Sequence, residues 1–219
     1  MKVKLISYSQ PSQELLAEGL KDAQDLVAYC ARVSNPSNQM NTETSERLIK
    51  YLIKHLHWSP LEMVSACLEV TTTRDIARQL LRHRSFSFQE YSQRYADPTV
   101  DLEFVLRDAR LQDTRNRQNS IVVDDPKLQE DWAYHQRLVI NAAQTAYKWA
   151  IGNGIAKEQA RAVLPEGNTV SRLEVNGTIR SWIHYIQVRS DASTQLEHRD
   201  LALACAKVIA QIFPMAGTL

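Results

Sequence analysis

Between residues 63 and 81 the spacing of apolar residues changes from two to about 3.6, and this change restricts the fold more than any other feature. Val64, Ala66, Leu68 and Val70 alternate with Met63, Ser65, Cys67 and Glu69, the pattern of a half-buried strand. Thr73 then offers a helix cap and Asp75 falls in the favourable first turn. Ile76, Ala77, Leu80 and Leu81 give that helix a core face. A strand feeding directly into a helix demands a mixed architecture.

The mixture continues along the chain. Residues 1–7 read as a short strand with no secretory signal, 44–56 as a helix ended by Pro60, and 169–175 as a strand. Residues 128–150 read as a long amphipathic helix carrying Trp132, Leu138, Val139, Ala142, Ala146 and Trp149, stopped by Gly152 and Gly154. Further helices are expected at 155–164, 178–188 and 194–213. The polar segment 107–126 reads as a surface loop or a lid, with 115–120 either covering a site or simply solvated. With 219 residues, 44% apolar and 23% charged, one core is enough, so a single α/β or α+β domain over 1–219 is expected.

Composition also excludes. A formal net charge of +1 argues against a dedicated nucleic-acid binder. Apolar runs such as 202–206 are far shorter than the roughly 20 residues of a membrane span. Cys30, Cys67 and Cys205 form no CxxC pair, which points to a reducing, cytoplasmic setting. The six histidines show no HxxxH spacing, so no metal is expected.

The chemistry concentrates in residues 82–95. Arg82, His83 and Arg84 stand at a helix end, where a basic triplet is often merely solvated. If the chain is extended beyond them, Glu90, Ser92 and Arg94 share one face, with Phe86 and Phe88 at the same parity nearer the helix. A carboxylate, a hydroxyl and a guanidinium in a row suit a phosphorylated, hydroxyl-bearing ligand. Ser92 could also be read as a nucleophile, but no histidine lies near it in sequence to act as base.

Arg82-His83-Arg84, seven residues, then Ser92, with Glu90 before it and Arg94-Tyr95 after it, resembles the signature of flavin-dependent thymidylate synthases. Gln89 departs from it, standing where that family usually has Asn. The resemblance extends to His57-Trp58-Ser59-Pro60-Leu61-Glu62, to Ala160-Arg161-Ala162-Val163-Leu164-Pro165, and to the segment from Gly177-Thr178-Ile179-Arg180 through Arg189. It covers most of the chain, leaving out the first strand and the 107–126 segment. It implies a central sheet flanked by helices, a homotetramer with interfacial active sites, and methylation of dUMP to dTMP. The implied cofactor is FAD, with NADPH and methylenetetrahydrofolate as co-substrates and no cysteine nucleophile. With neither GxGxxG nor a Walker loop, the implied flavin site is not Rossmann-like.

The same resemblance implies roles. Gln79, Arg82, Glu90, Ser92, Gln93, Arg94, Arg161 and Arg189 would surround dUMP, with Arg94 and Arg161 on phosphate and Arg189 catalytic at the pyrimidine. Ser59, Arg82, His83, Arg84, Glu90, Thr178, Arg180 and His184 would hold FAD, some from neighbouring subunits. Taken without the family, Arg161 and His184 read as solvated helix residues. Two rivals remain at this stage. A single-stranded nucleic-acid module would use Phe86, Phe88 and Tyr91 for stacking, and a nucleotide sensor would bind dUMP without turnover.

Overall fold

The computed structural model describes residues 1–215. In chain order its elements are β1 (Lys2–Tyr8), α1 (Gln13–Ala17), α2 (Ala23–Ala31), α3 (Ser45–Lys54), β2 (Ser65–Thr73), α4 (Arg74–Leu80), β3 (Ser87–Glu90), α5 (Pro98–Asp101), β4 (Arg110–Gln112), β5 (Ser120–Val122), α6 (Pro126–Gly152), α7 (Lys157–Ala160), β6 (Val170–Thr178), α8 (Ile179–Arg189) and α9 (Leu196–Ile212). β1, β2, β6 and β3 form one sheet in that order, every neighbouring pair antiparallel. Alternation sorts its rows. Leu5, Leu68, Val175 and Phe88 lie side by side facing the core, while Lys4, Glu69, Glu174 and Gln89 form the next row facing outward.

Helices α4, α8 and α9 cover the inward face through Ile76, Leu80, Ile179, Trp182, Ile183, Leu201, Cys205 and Ile209, all in one apolar cluster with the sheet. Val27 of α2 and Ile49 and Leu52 of α3 extend that cluster. Trp182 is fully buried, and its indole N–H donates to the Ala66 carbonyl at 3.0 Å. Without that bond a buried donor would cost about 1–3 kcal/mol. Among the described residues no helix is long and apolar enough to cross a membrane.

Three expectations need correction. The helix expected at 155–164 is only α7 followed by a 3-10 turn at Arg161–Val163. Gly154, at φ +77°, folds the chain back so that Ile155 N donates to Ala150 O, which spends those residues on closing α6. The 107–126 segment is not a plain loop but contains the β4–β5 hairpin. Asp113 organises its turn, accepting from Arg115 N, Asn116 N and Asn119 Nδ2 at 2.8–3.0 Å. Arg107 ties the segment to Asp75 at 2.7 Å, and Arg110 ties it to Glu197 at 2.7 Å.

The third correction concerns α6. Its core side is Gln136, Ile140, Ala143, Tyr147 and Ala150. The expected apolar face is instead open: Trp132, Leu138, Val139 and Trp149 are 44–63% exposed, and Ala142 and Ala146 are exposed with them. Buried Gln136 is satisfied by the backbone N–H and C=O of Arg107, both at 2.8 Å.

Candidate active site

The Arg82–Arg84 triplet sits in a tight turn between α4 and β3. Arg82 N donates to Gln79 O, His83 N to Leu80 O and Phe86 N to His83 O. Phe86 pins the turn from below. Its ring packs 4.5 Å from Trp182 and lies over Gly177, where a Cβ would meet a ring carbon at 2.2 Å. With Phe86 fixed inward, Arg82 and Arg84 project into solvent, and neither side chain bonds to any described residue. Two free guanidinium groups so close together suit an anionic ligand.

His83 is the half-buried member of the triplet. Arg189, the last residue of α8, donates from Nε to His83 Nε2 at 2.9 Å. An imidazole that accepts at Nε2 is neutral and carries its proton on Nδ1. Burial, then the positive field of Arg189 and a contribution from His184, push its pKa down to about 4. Arg189 thus has a neutral partner, and among the described residues no carboxylate is bonded to it. Gln79 sits close by, donating from Nε2 to Gln195 Oε1 at 2.7 Å, with its Oε1 3.1 Å from His198 Nδ1.

A second group forms at the end of β3. Glu90 accepts from Arg74 Nη1 at 3.3 Å and Ser171 Oγ at 2.9 Å, with Arg78 at 3.7 Å. Burial lowers the pKa of Arg74, and the charge of Glu90 works the other way. The extended face expected through Ser92 and Arg94 does not exist. β3 ends at Glu90, Tyr91 N makes a last bond to Arg172 O, and Tyr95 N and Ala96 N then turn back onto Ser92 O. Ser92 Oγ accepts from Arg94 N at 3.3 Å. The turn nevertheless brings Arg94 to Arg161: the first pairs with the Glu158 carboxylate at 3.5 Å, the second donates to the Glu158 carbonyl at 3.3 Å. Gln93 is 4% exposed, and its Nε2 has no hydrogen-bond partner among the described residues.

A third group lines a cleft of about 320 Å³ formed by Trp58, Glu62, Ser85, Arg180, Ser181 and His184, at the small end of ligand clefts. Ser59 is the exposed first residue of the 3-10 turn that follows Trp58. Arg180 pairs with Glu62. Thr178 caps α8, its hydroxyl oxygen accepting from Ser181 N at 3.2 Å.

Sequence reading missed Arg74, Arg78, Trp58, Gln195 and His198. Arg74 and Arg78 are four apart on α4, a spacing that puts them on one face and was available as a signal. Buried Phe86, and Tyr91 with its hydroxyl bonded to Asp101 at 2.7 Å, offer no open stacking platform for nucleic acid.

The family model described as Thymidylate synthase complementing protein matches residues 14–215. A probable flavin-dependent thymidylate synthase of Paramecium bursaria Chlorella virus 1 is 46% identical over 98% of this chain and 96% of that protein. A flavin-dependent thymidylate synthase of Synechocystis is 47% identical over the same shares. Among solved structures, a UMP/dUMP methylase from Streptomyces cacaoi bound with 5-Br dUMP superposes with a TM-score of 0.82 at 25% identity, covering 98% of this chain and 92% of that one.

Proposed function

The chain belongs to the thymidylate synthase complementing protein family, the flavin-dependent thymidylate synthases, and from that membership we propose that it methylates dUMP to dTMP. The observation that carries the reading is the Arg189–His83 contact. It joins the Arg-His-Arg motif to the late helix and leaves a charged guanidinium beside a neutral imidazole, next to Gln79.

The residues present fit an FAD. Arg82 and Arg84 have free guanidinium groups for its pyrophosphate, and the cleft lined by Trp58, Arg180 and His184 offers an aromatic wall with hydrogen-bond donors. Ser59, Arg82, His83, Arg84, Glu90, Thr178, Arg180 and His184 are the residues assigned to hold it, without a Rossmann motif. When bound and reduced by NADPH, the flavin supplies the hydride that completes the methyl group, the carbon coming from methylenetetrahydrofolate.

The chain's own residues orient and stabilise. Arg94 and Arg161, brought together at Glu158, hold the dUMP phosphate; Ser92 and Gln93 flank it, and the orphaned Gln93 Nε2 gains an acceptor. Glu90, kept in place by Arg74 and Ser171, accepts from ligand hydroxyls. Gln79, Arg82 and Arg189 face the pyrimidine, where the charge on Arg189 stabilises negative charge developing on the ring. No cysteine serves as nucleophile. Burial raises the thiol pKa of Cys30 and Cys67 and pushes Cys205 up to about 12, the opposite of thiolate activation.

The same reading makes the whole chain one domain of a cytoplasmic homotetramer with sites at subunit interfaces. The open face of α6, with two tryptophans and two aliphatics exposed, fits contact with a second copy. The test is direct. The purified protein should show a bound-flavin visible spectrum that NADPH bleaches faster with dUMP present. Arg189→Ala should fold and bind FAD but form little dTMP. A colourless protein that FAD cannot reconstitute, or wild-type turnover in Arg189→Ala, refutes the reading.

A further inference from the structure

Beneath Gln79 a chain of hydrogen bonds runs to a charged end. Arg110 Nη2 donates to both carboxylate oxygens of Glu197 at 2.7 and 2.9 Å. Gln195 Nε2 donates to Glu197 Oε2 at 2.9 Å, Gln79 Nε2 donates to Gln195 Oε1 at 2.7 Å, and Gln79 Oε1 meets His198 Nδ1 at 3.1 Å. Burial opposes ionisation of Glu197, but its hydrogen bonds, that from Arg110 first, outweigh it and hold the carboxyl below its ordinary value.

A carboxylate only accepts, so it orients every link after it. Gln195 must turn its NH₂ toward Glu197 and its carbonyl toward Gln79. Gln79 must then donate to Gln195 and offer its carbonyl to His198, which must carry its proton on Nδ1. The far nitrogen agrees with that direction: His198 is fully buried and its Nε2 has no partner among the described residues. A bare buried acceptor is tolerated more readily than an orphaned N–H.

We propose that Glu197 is a positioning residue for the nucleotide site, fixing through Gln195 which side of the Gln79 carboxamide is offered to the pyrimidine and which nitrogen of His198 carries the proton. The inference rests on the reading of Gln79 as a dUMP residue.

Glu197→Gln tests the direction. Arg110 claims the only acceptor of the new amide, turning its NH₂ toward Gln195 and reversing the chain down to His198. In ¹⁵N-histidine-labelled protein the His198 ring should be protonated at Nδ1 in the wild type and at Nε2 in the variant. Binding of dUMP, followed through the flavin spectrum, should weaken roughly tenfold while flavin binding holds, and the loss of the Arg110 ion pair should also lower the melting temperature. In Arg110→Met/Glu197→Gln no donor at 110 competes for the carbonyl at 197, which can face Gln195 again, and dUMP affinity should recover, which a merely structural role does not predict. An Nε2–H ring in the wild type, unchanged dUMP affinity in Glu197→Gln, or no recovery in the double variant overturns the proposal. Wild-type protein that binds no dUMP brings down the reading of the site, and this inference with it, whatever the imidazole spectrum shows.

Discussion

Gly177→Ala probes how the core sets the position of the Arg82–Arg84 turn. Gly177 lies in β6 with ordinary φ, so its need for glycine is steric. A Cβ there would stand 2.2 and 2.5 Å from two carbons of the Phe86 ring. Reaching an ordinary separation near 3.5 Å requires the ring to retreat by roughly 1 Å. It has little room: Trp182 lies 4.5 Å away, Tyr185 5.9 Å and His83 6.4 Å, centroid to centroid. Overpacking of this kind costs about 1–3 kcal/mol, or about 2–12 °C in melting temperature for a chain of this size. The displaced ring also pushes on His83 and on Ser85, whose carbonyl accepts from Ser181 Oγ at 3.3 Å. Flavin affinity should therefore fall together with stability. Adding Phe86→Leu relieves the clash, so the double variant should be less destabilised than the sum of the singles. Thermal melts and flavin titration of the three variants decide it. A Gly177→Ala protein with wild-type melting temperature, or strictly additive effects, refutes the reasoning.

Other expectations follow from the charges. His83 and His198 stay neutral in the fold down to pH about 4, mainly through burial, whereas an unfolded histidine takes its proton near 6.5. The unfolded chain thus binds more protons between those values, and stability is full above pH 6.5 and declines as the pH falls through that window. By pH 5 each histidine should cost about 1–2 kcal/mol; a melting temperature unchanged from pH 7 to 5 contradicts this, and His83→Asn should reduce the slope. Arg74→Ala leaves the largely buried Glu90 with only Ser171 and Arg78 as partners and should cost about 1–3 kcal/mol in urea denaturation. Arg94→Ala, which breaks an exposed pair, should cost less than about 1 kcal/mol, and equal losses would be a refutation. Cys67→Ser should keep its dTMP turnover, and abolished turnover in a folded, yellow protein would reinstate a cysteine mechanism.

Periodicity served well wherever one face was buried against the chain's own core. The alternation of residues 64–70 and the helical spacing after Thr73 appear as β2 and α4, because a one-residue slip would expose Leu68 and Val70. Parity failed after Glu90 because no further ladder bonds hold the chain beyond Tyr91, and the turn at Ser92 takes over. The motif named the right neighbourhood there, and local backbone bonding chose a different geometry. The Arg189–His83 bond spans 106 residues of sequence and the Gln79–His198 contact 119, and neither leaves a short-range pattern. His198 in particular stands between the charged Glu197 and Arg199 near the start of α9 and reads as a solvated helix residue, yet the fold buries it against Gln79.

Helix α6 exposes a different limit. Its apolar residues occupy two adjacent faces, and spacing alone cannot say which of them the chain itself will cover. Ile140, Ala143, Tyr147 and Ala150 take the inner face because Gln136, bonded at both ends of its amide to the Arg107 backbone, fixes the helix's rotation about its axis. Trp132, Leu138, Val139 and Trp149 are then left outward by geometry and not by any lack of hydrophobicity. An apolar stripe reads the same in the sequence whether this chain covers it, another copy covers it or it stays open to water. The polar tether at Gln136 therefore decides, as much as the tryptophans do, which face of α6 is left outward. Severing it would let α6 roll and bury the very face that is otherwise available to a partner.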